Sequence, residues 1–171
     1  MKQLFLLGFL IFLGCKSEPK AEMITHTDQE KSSVITAADI EKLDYTDYIL
    51  SPESENAVLD WQKYQDLRAT IGQLKNADFS FFKVEKNIMA DFITELKAGQ
   101  PEMINSPAIR SRMTVLETNL LRMQDLFNLD NIKKAEYLEA IKELLVADVN
   151  LKLQINKKFE KEAQQILIPQ K

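Results

Sequence analysis

Apolar residues recur every three or four positions through the C-terminal part of the chain, and this repeat predicts a helical fold. Ser106-Pro107, a cap residue followed by proline, predicts the beginning of one helix at position 107. From there to position 127 the successive apolar steps are 4, 3, 4, 3 and 4, at Ile109, Met113, Leu116, Leu120, Met123 and Phe127. Such spacing lines one face of an α-helix, whereas a half-buried strand would alternate with a period of two. A second stripe lies between about Lys133 and Ile166, at Tyr137, Ile141, Leu144, Asp148, Leu151, Ile155, Phe159 and Ile166. We predict a helix of about 50 Å there, from a rise of 1.5 Å per residue.

The segment before these helices begins with signals for one short helix followed by an extended strap. Thr36, with Asp39 three positions later, has the pattern of a capping box and predicts a helix that ends near Leu43. Residues 44–50 contain tyrosine and aliphatic side chains without a helical period. We expect this strap to pack against the helices in an extended conformation.

Two further helices are predicted between the strap and position 107. The order of cap residue, proline and acid at Ser51-Pro52-Glu53 predicts a helix that ends near Asn76. The next helix would begin at Asp78 or Ser80 and end near Ala98, before the terminating pattern Gly99-Gln100-Pro101. Their apolar stripes are Val58, Trp61, Tyr64, Leu67, Ile71 and Leu74 in the first helix, and Phe81, Phe82, Val84, Ile88, Met89, Phe92, Ile93 and Leu96 in the second.

Glycine is scarce in this region, since only Gly72 and Gly99 follow residue 35. Gly72 lies inside a predicted helix at a cost of about 1 kcal/mol relative to alanine, so we expect another backbone to approach it closely. The chain is 45% apolar and 28% charged, which suffices for one hydrophobic core. We predict an all-α antiparallel up-and-down bundle of about four helices over residues 36–171, with a three-helix core and an independent first helix as the alternative.

The last predicted helix is longer than those it would pack against, which are about 30 Å long at 1.5 Å per residue. Its C-terminal half must therefore overhang the others, pack on the strap and the short first helix, or wait for a partner. The sequence leaves these three possibilities open.

The first residues of the chain form a targeting segment. Lys2 precedes an apolar run at residues 4–13, which Gly14 and Cys15 close. A run this short cannot span the roughly 30 Å core of a bilayer, but it fits a secretory signal. Gly14-Cys15 resembles the end of a bacterial lipoprotein signal, although Phe12-Leu13 departs from its commonest form. The resemblance implies a signal peptide over residues 1–14 and acyl chains on Cys15, and the alternative is an uncleaved anchor.

Residues 15–35 have no apolar period and are expected to form a lipidated flexible tether, in which His26 is a solvated histidine. The chain has a net charge of −4, which becomes −5 if Lys2 leaves with the signal. An acidic balance argues against a nucleic-acid partner. We expect attachment to the outer membrane of the cell envelope through the lipid on Cys15. Lys16-Ser17-Glu18-Pro19 matches only part of a surface-export signal, so the periplasmic and the surface face both stay open.

The predicted bundle contains no cysteine and no histidine. This excludes Cys-His and Ser-His-Asp nucleophilic schemes and zinc sites that need either residue. Two glycines do not suffice for a dinucleotide fingerprint or a phosphate-binding loop. We therefore expect no enzyme activity, no cofactor and no metal ion.

Three glutamates of the last predicted helix, Glu136, Glu139 and Glu143, could in principle bind Ca²⁺ or act as paired acids. Lysines interleave with them, which indicates a solvated helix face. These lysines are Lys133, Lys134 and Lys142.

Two features of the stripes are unusual. Asp148 occupies an apolar position, where an unpaired charge is costly, so we predict a structural ion pair with Arg68, Arg110 or Arg112 on a neighbouring helix. A ligand site is the alternative for Asp148. Aromatic residues at helical spacing are expected in the core, with a groove for an apolar ligand or a partner helix as the alternative. They are Trp61, Tyr64, Phe79, Phe81, Phe82 and Phe92.

Several stretches of the body resemble small uncharacterised lipoproteins of flavobacteria and their relatives. These stretches are residues 61–65, 77–82, 105–109, 115–118 and 154–160. The resemblance implies a lipid-anchored envelope protein and carries no assigned activity. We predict a non-enzymatic helical interaction or accessory module, with a protein partner bound through the long C-terminal helix. The alternative is a binder of an apolar or envelope-derived small molecule within the bundle.

Overall fold

The computed structural model describes residues 34–166, and within them the chain is helical with no β-strand. Its six α-helices are α1 (Ala37–Glu41), α2 (Pro52–Val58), α3 (Gln62–Lys75), α4 (Lys86–Ala98), α5 (Pro107–Phe127) and α6 (Lys134–Ile166). Short 3₁₀ turns occur at Ser80–Lys83 and Glu102–Ile104. The prediction of an all-α bundle with a long C-terminal helix is confirmed.

Local sequence signals set the beginnings of α1 and α5. In α1 the Thr36 hydroxyl accepts from the Asp39 N–H at 3.3 Å, and Asp39 Oδ2 accepts from the Thr36 N–H at 2.8 Å. This reciprocal capping box satisfies two backbone donors that the helix itself leaves free. In α5 the Ser106 hydroxyl accepts from the Ile109 N–H, with Pro107 at the first helical position. Both beginnings are as predicted.

The helix predicted over residues 52–76 is wrong, because the chain forms two helices there. α2 ends at Val58, and Trp61 has a ψ of 79°, which takes the chain out of the helical path before α3 begins. The Trp61 indole N–H donates to the Leu96 carbonyl on α4 at 2.8 Å, and its ring stacks on Tyr64 at 4.8 Å. The break places the tryptophan where it can reach α4, so a tertiary contact overrides the local helical pattern.

The helix predicted to begin at Asp78 or Ser80 is also wrong at its start. Asp78 caps only the 3₁₀ turn, through a 3.0 Å bond from the Ser80 N–H, and α4 begins at Lys86. Between the two, Val84 is extended with a ψ of 164°. The side-chain amide of Gln124 on α5 donates to the carbonyls of residues 84 and 85, at 3.0 and 3.2 Å. These bonds supply partners for carbonyls that a continuous helix would have used.

Of the two glycines of the body, Gly99 ends α4 as predicted, whereas the prediction for Gly72 is wrong. A Cβ on Gly72 would meet nothing within 4 Å, so the expectation of a close backbone approach there is wrong. The close approach is at Gly99, where a Cβ would lie 3.3 Å from Trp61 Cδ1 and 3.2 Å from the Glu95 carbonyl oxygen. Gly99 has a φ of −81°, so it ends α4 without a left-handed residue. Its lack of a side chain makes room for Trp61.

The strap and α2 lie along α6, which settles where the C-terminal half of that helix packs. At the start of α6, Lys134 Nζ lies 2.8 Å from Asp39 Oδ2 of α1. Farther along, the Asn156 side chain donates to the Ile49 carbonyl and accepts from the Ser51 N–H, both at 2.8 Å. Of the three possibilities left open, α6 therefore packs on the strap as far as Asn156.

Candidate functional site

The pairing of α5 with α6 defines how far α6 extends beyond its neighbours. The two helices are antiparallel, since Arg122 forms an ion pair with Glu143 and the rings of Phe127 and Tyr137 have centroids 4.8 Å apart. Continued one residue at a time, this register places Pro107, the first residue of α5, level with about residue 158 of α6. Residues 160–166, which we name the α6 overhang, extend past α5 by about 10 Å.

The side chains of the α6 overhang are exposed in their described part, residues 160–164. Ile155 is fully buried and Phe159 is partly buried against the core, so the packing of α6 ends directly before the overhang. Ala163 follows Phe159 by four positions and therefore lies on the same face of the helix. The face that is buried in the bundle thus continues into solvent.

A surface groove of about 420 Å³ lies between the start of α2 and the end of α6. It is lined by Ser51, Glu53, Asn156, Phe159, Glu160 and Ala163. Its apolar side chains come from the α6 face that leads into the overhang, and a carboxylate from each helix lies beside them. A partner side chain with an apolar body and a polar or basic tip would fit this lining.

Asp148 is buried, and its ion pair differs from the one predicted. Its Oδ2 lies 2.6 Å from Lys152 Nζ, one turn farther along the same helix. None of the three predicted partners pairs with it. Arg68 binds both carboxylate oxygens of Glu55, Arg110 donates to Asn105 Oδ1, and Arg112 is exposed. An ion pair at Asp148 was therefore correctly predicted, but its partner was not. The long lysine side chain reaches back along α6, so no second helix is needed.

Asp148 is a buried carboxyl group whose pKa is raised above its usual value. Only 1% of the residue is exposed, its Oδ1 has no hydrogen-bond partner, and burial raises the pKa of its carboxyl group against the opposing effect of Lys152. The Tyr64 hydroxyl is also buried without a partner, and burial together with the charge of Asp148 raises its pKa. The charge of Asp47 on the strap raises the pKa of Asp148 further, and the charge of Lys75 on α3 lowers it.

The glutamates considered as ligands or acids lie on the outer face of α6. Glu136 and Glu139 are exposed, and Glu143 pairs with Arg122 of α5. Among residues 34–166 there is no group of three or more histidine, cysteine, aspartate or glutamate side chains placed to hold a metal ion. The solvated-face interpretation fits these positions.

The aromatic residues of the sequence analysis contribute to the core. Trp61, Tyr64 and Phe82 are fully buried and Phe92 is 8% exposed, whereas Phe79 and Phe81 are partly buried against them. Their rings contact one another and Phe127, with centroid distances of 4.6 Å for Phe79 and Phe127 and 4.9 Å for Phe81 and Phe92. The prediction that these rings are core residues is confirmed.

Two of the predicted features lie outside the described residues. These are the lipidation site Cys15, with the signal and tether around it, and His26. In the described part of the chain, no helix combines the length and the hydropathy needed to cross a membrane. The proposals about anchoring therefore depend on the sequence of residues 1–35.

The fold and the overhang define a helical bundle protein with an elongated last helix. No protein-family model, no curated protein sequence and no solved structure matches the chain.

The sequence analysis missed one feature of the site, the two hydrogen bonds between the Asn156 side-chain amide and the strap. Its only signal was a polar residue directly after the apolar stripe position Ile155, which is a common arrangement on any amphipathic helix.

Proposed function

We propose that this protein is a lipid-anchored protein of the cell envelope whose helical body is a non-enzymatic interaction module. Support comes from the lipoprotein-like segment, with Cys15 as the acylated residue, and from a body whose last helix extends beyond its packing partners. Several acyl chains hold a protein on a membrane far more firmly than one chain does. We favour the outer membrane as the site of anchoring and the α6 overhang as the site of partner binding.

The observation that carries this proposal is the position of the overhang at the far end of α6 from α1, the first described helix. The described chain begins at Val34, and α1 contacts the first residue of α6 through the pair of Asp39 and Lys134. The 33 residues of α6 correspond to about 50 Å. A partner on the overhang would therefore lie about that far from α1.

The physical argument for a partner is that the overhang adds little to the stability of the fold. Isolated helical turns are marginal in water, and residues 160–164 bury no side chain. A partner helix or groove that covers the face of Phe159 and Ala163 would extend the packing of α6 by about two turns. Recognition of one amphipathic helix face by an apolar groove is a common mode of binding.

Site-specific photo-crosslinking in intact cells tests this proposal. A crosslinking residue at Glu160, an exposed position that lines the groove beside Phe159, should give a discrete adduct, whereas the same residue at the exposed Asp91 on α4 should give none. The comparison controls for expression and for random collision in the envelope. Equal labelling from both positions, or none from Glu160, would contradict a partner at the overhang.

The anchoring is tested separately with Cys15→Ser. This variant should lose acylation, change its processed mass and move from the membrane fraction to the soluble fraction. Cys15 is the only cysteine in the chain, so no other thiol can take its place. A Cys15→Ser protein that stayed on the membrane at the original processed mass would refute the lipoprotein assignment and leave the crosslinking result intact.

A further inference from the structure

A surface pocket of about 400 Å³ lies between the end of α4 and the beginning of α5, and the 3₁₀ turn Glu102–Ile104 contributes to its lining. Small-molecule sites usually have volumes of roughly 300 to 1,000 Å³, so a small ligand would fit. The turn is held in place, because the Gln100 side-chain amide donates to the Ile104 carbonyl at 3.1 Å and the Ile104 side chain is fully buried. The pocket is therefore built on two helix ends and an anchored turn.

One asparagine joins two opposite charges in this pocket. Arg110 Nη1 donates to Asn105 Oδ1 at 2.8 Å, and Asn105 Nδ2 donates to Glu102 Oε2 at 3.2 Å. An amide group measures about 2.3 Å from its oxygen to its nitrogen, so Arg110 Nη1 and Glu102 Oε2 are at most about 8 Å apart. Among residues 34–166, neither charge forms an ion pair with the other or with a third side chain. The pocket thus presents a cation and an anion that are close together but unpaired within the described chain.

Both charged groups keep hydrogen-bonding capacity for a ligand. Within residues 34–166, Arg110 Nε and Nη2 donate to no acceptor, and Glu102 Oε1 accepts from no donor. The guanidinium fork matches the geometry of a carboxylate, and a carboxylate accepts charge-assisted hydrogen bonds from an ammonium group. Lys97 also lines the pocket, but it pairs with Glu117 on α5. A ligand with a charge of one sign would leave Arg110 or Glu102 unmatched, whereas a zwitterion satisfies both.

We propose that this pocket binds a free α-amino acid with an apolar side chain. The ligand carboxylate accepts from Nε and Nη2 of Arg110, and the ligand ammonium group donates to Glu102 Oε1. These two ligand groups are about 3 Å apart, so one charge-assisted hydrogen bond of about 2.8 Å at each end spans the separation that Asn105 allows. Met113 is buried and lines the pocket, where it offers an apolar surface to the ligand side chain.

Isothermal titration calorimetry of the purified full chain with three related probes tests the proposal without any variant. L-leucine should bind saturably. N-acetyl-L-leucine lacks the ammonium charge and L-leucinamide lacks the carboxylate, so each should bind about tenfold more weakly or worse, because each loses one set of charge-assisted hydrogen bonds. No saturable binding of L-leucine, or equal binding of the three probes, would overturn the proposal.

Two arginines near the beginning of α5 provide a matched pair of variants. Arg110→Gln should weaken the binding of L-leucine about tenfold or more, because the bidentate partner of the carboxylate is lost. Arg112→Gln removes the same charge from an exposed position outside the pocket lining and should bind L-leucine like wild type. Both arginines are exposed, so neither substitution removes core packing. Equal weakening by the two substitutions would indicate an effect of net charge alone and would overturn the site.

Discussion

Asp148 carries a buried charge that the protein only half compensates, because one carboxylate oxygen binds Lys152 and the other has no partner. Its raised pKa means that the folded state binds the proton more tightly than the unfolded state does. The stabilising effect is fully present below the unfolded pKa, near 3.8, and is lost as the pH rises through the folded pKa. We expect Asp148→Asn to unfold at an equal or higher temperature than wild type at pH 7, with that advantage lost near pH 4.

Asp39 is the matched control for this prediction, because its pKa is shifted in the other direction. Hydrogen bonds from Lys134 and Thr36 hold the pKa of the Asp39 carboxyl well below its usual range. Its contribution to stability is therefore present above the unfolded pKa and lost as the pH falls through the folded one. Asp39→Asn should lower the melting temperature at pH 7 and have less effect in acid. Thermal unfolding followed by circular dichroism at both pH values distinguishes the two signs, and the same sign for both variants would refute the account.

The two glycines give a second pair of substitutions with opposite expected effects. Gly72→Ala should raise the free energy of unfolding by about 0.5 to 1 kcal/mol, because alanine is the better helix former and a Cβ there meets nothing within 4 Å. Gly99→Ala should lower it by about 1 to 2 kcal/mol, because the new Cβ would press on Trp61. Trp61 cannot easily move, since it is buried and bonded to the Leu96 carbonyl. Urea unfolding of both variants measures the difference, and equal shifts would contradict the packing described at Gly99.

The sequence was sufficient to place Asp148 on a buried face, but it could not identify the partner. The apolar stripe defines the buried face by spacing alone, and spacing does not show how far a flexible lysine reaches. Lys152 follows Asp148 by four positions, which puts the two on neighbouring turns of one side of α6. The same spacing occurs at Lys158 and Glu162, where the ion pair is exposed. Burial, which separates the two cases, depends on the strap and α3.

At the scale of the elements, one side chain of α6 holds the backbone of the strap in place. Asn156 donates to the Ile49 carbonyl and accepts from the Ser51 N–H, so a single amide satisfies backbone groups on both sides of Leu50. Leu50 itself is buried, whereas Ile49 is 82% exposed. The amide therefore sets which strap residue faces the core, and it adjoins the Ser51 cap that begins α2.

Asn156→Ala should destabilise the protein by about 1 to 3 kcal/mol, since it removes two hydrogen bonds and leaves strap backbone groups without their partner. The loss should be local, so amide hydrogen exchange of residues 44–51 should accelerate more than that of α5. Asn119→Ala is the control, because that amide bonds only to the Val115 carbonyl of its own helix at the surface. Equal effects of the two substitutions on exchange in the strap would exclude the role assigned to Asn156.

Some elements follow from the sequence and others do not, for a physical reason that α5 and α2 illustrate. α5 was predicted from Pro107 to Phe127 because a local cap, a proline and an unbroken stripe agree along its length. The break after α2 has no glycine or proline, and Val58, Trp61 and Tyr64 keep helical spacing across it. The Leu96 carbonyl that accepts from Trp61 is 35 residues away, and no local pattern contains that information.

At the scale of the molecule, the length of α6 was predictable but its surroundings were not. A stripe that continues to Ile166 predicts one helix of about 50 Å. Its neighbours divide it into a part held between α5 and the strap and a part that extends beyond them. This division depends on the antiparallel register of α5 and α6 and on Asn156, which are tertiary features. The overhang became identifiable only when those contacts were known.

The division of α6 predicts that two truncated chains, which end only five residues apart, differ sharply in their free energy of unfolding. A chain that stops after Phe159 should keep its free energy of unfolding within about 1 kcal/mol of the full chain, because the side chains of residues 160–164 that it loses are exposed. A chain that stops after Gln154 also loses the fully buried Ile155 and the strap contact of Asn156, and should be destabilised by about 3 to 5 kcal/mol. Denaturant unfolding of both proteins measures the contrast.

The chain that stops after Phe159 also distinguishes an effect on binding from an effect on folding. If the overhang is an interaction surface, the chain that stops after Phe159 should fold and reach the membrane like wild type but fail to co-purify with the partner that crosslinks at Glu160. Ala163→Glu in the full chain provides the matched test, because it keeps the helix and changes only an exposed position on the apolar face. Loss of binding in both variants with unchanged melting would support the interaction surface. A truncated chain that unfolds would show instead that the overhang belongs to the packing of the bundle.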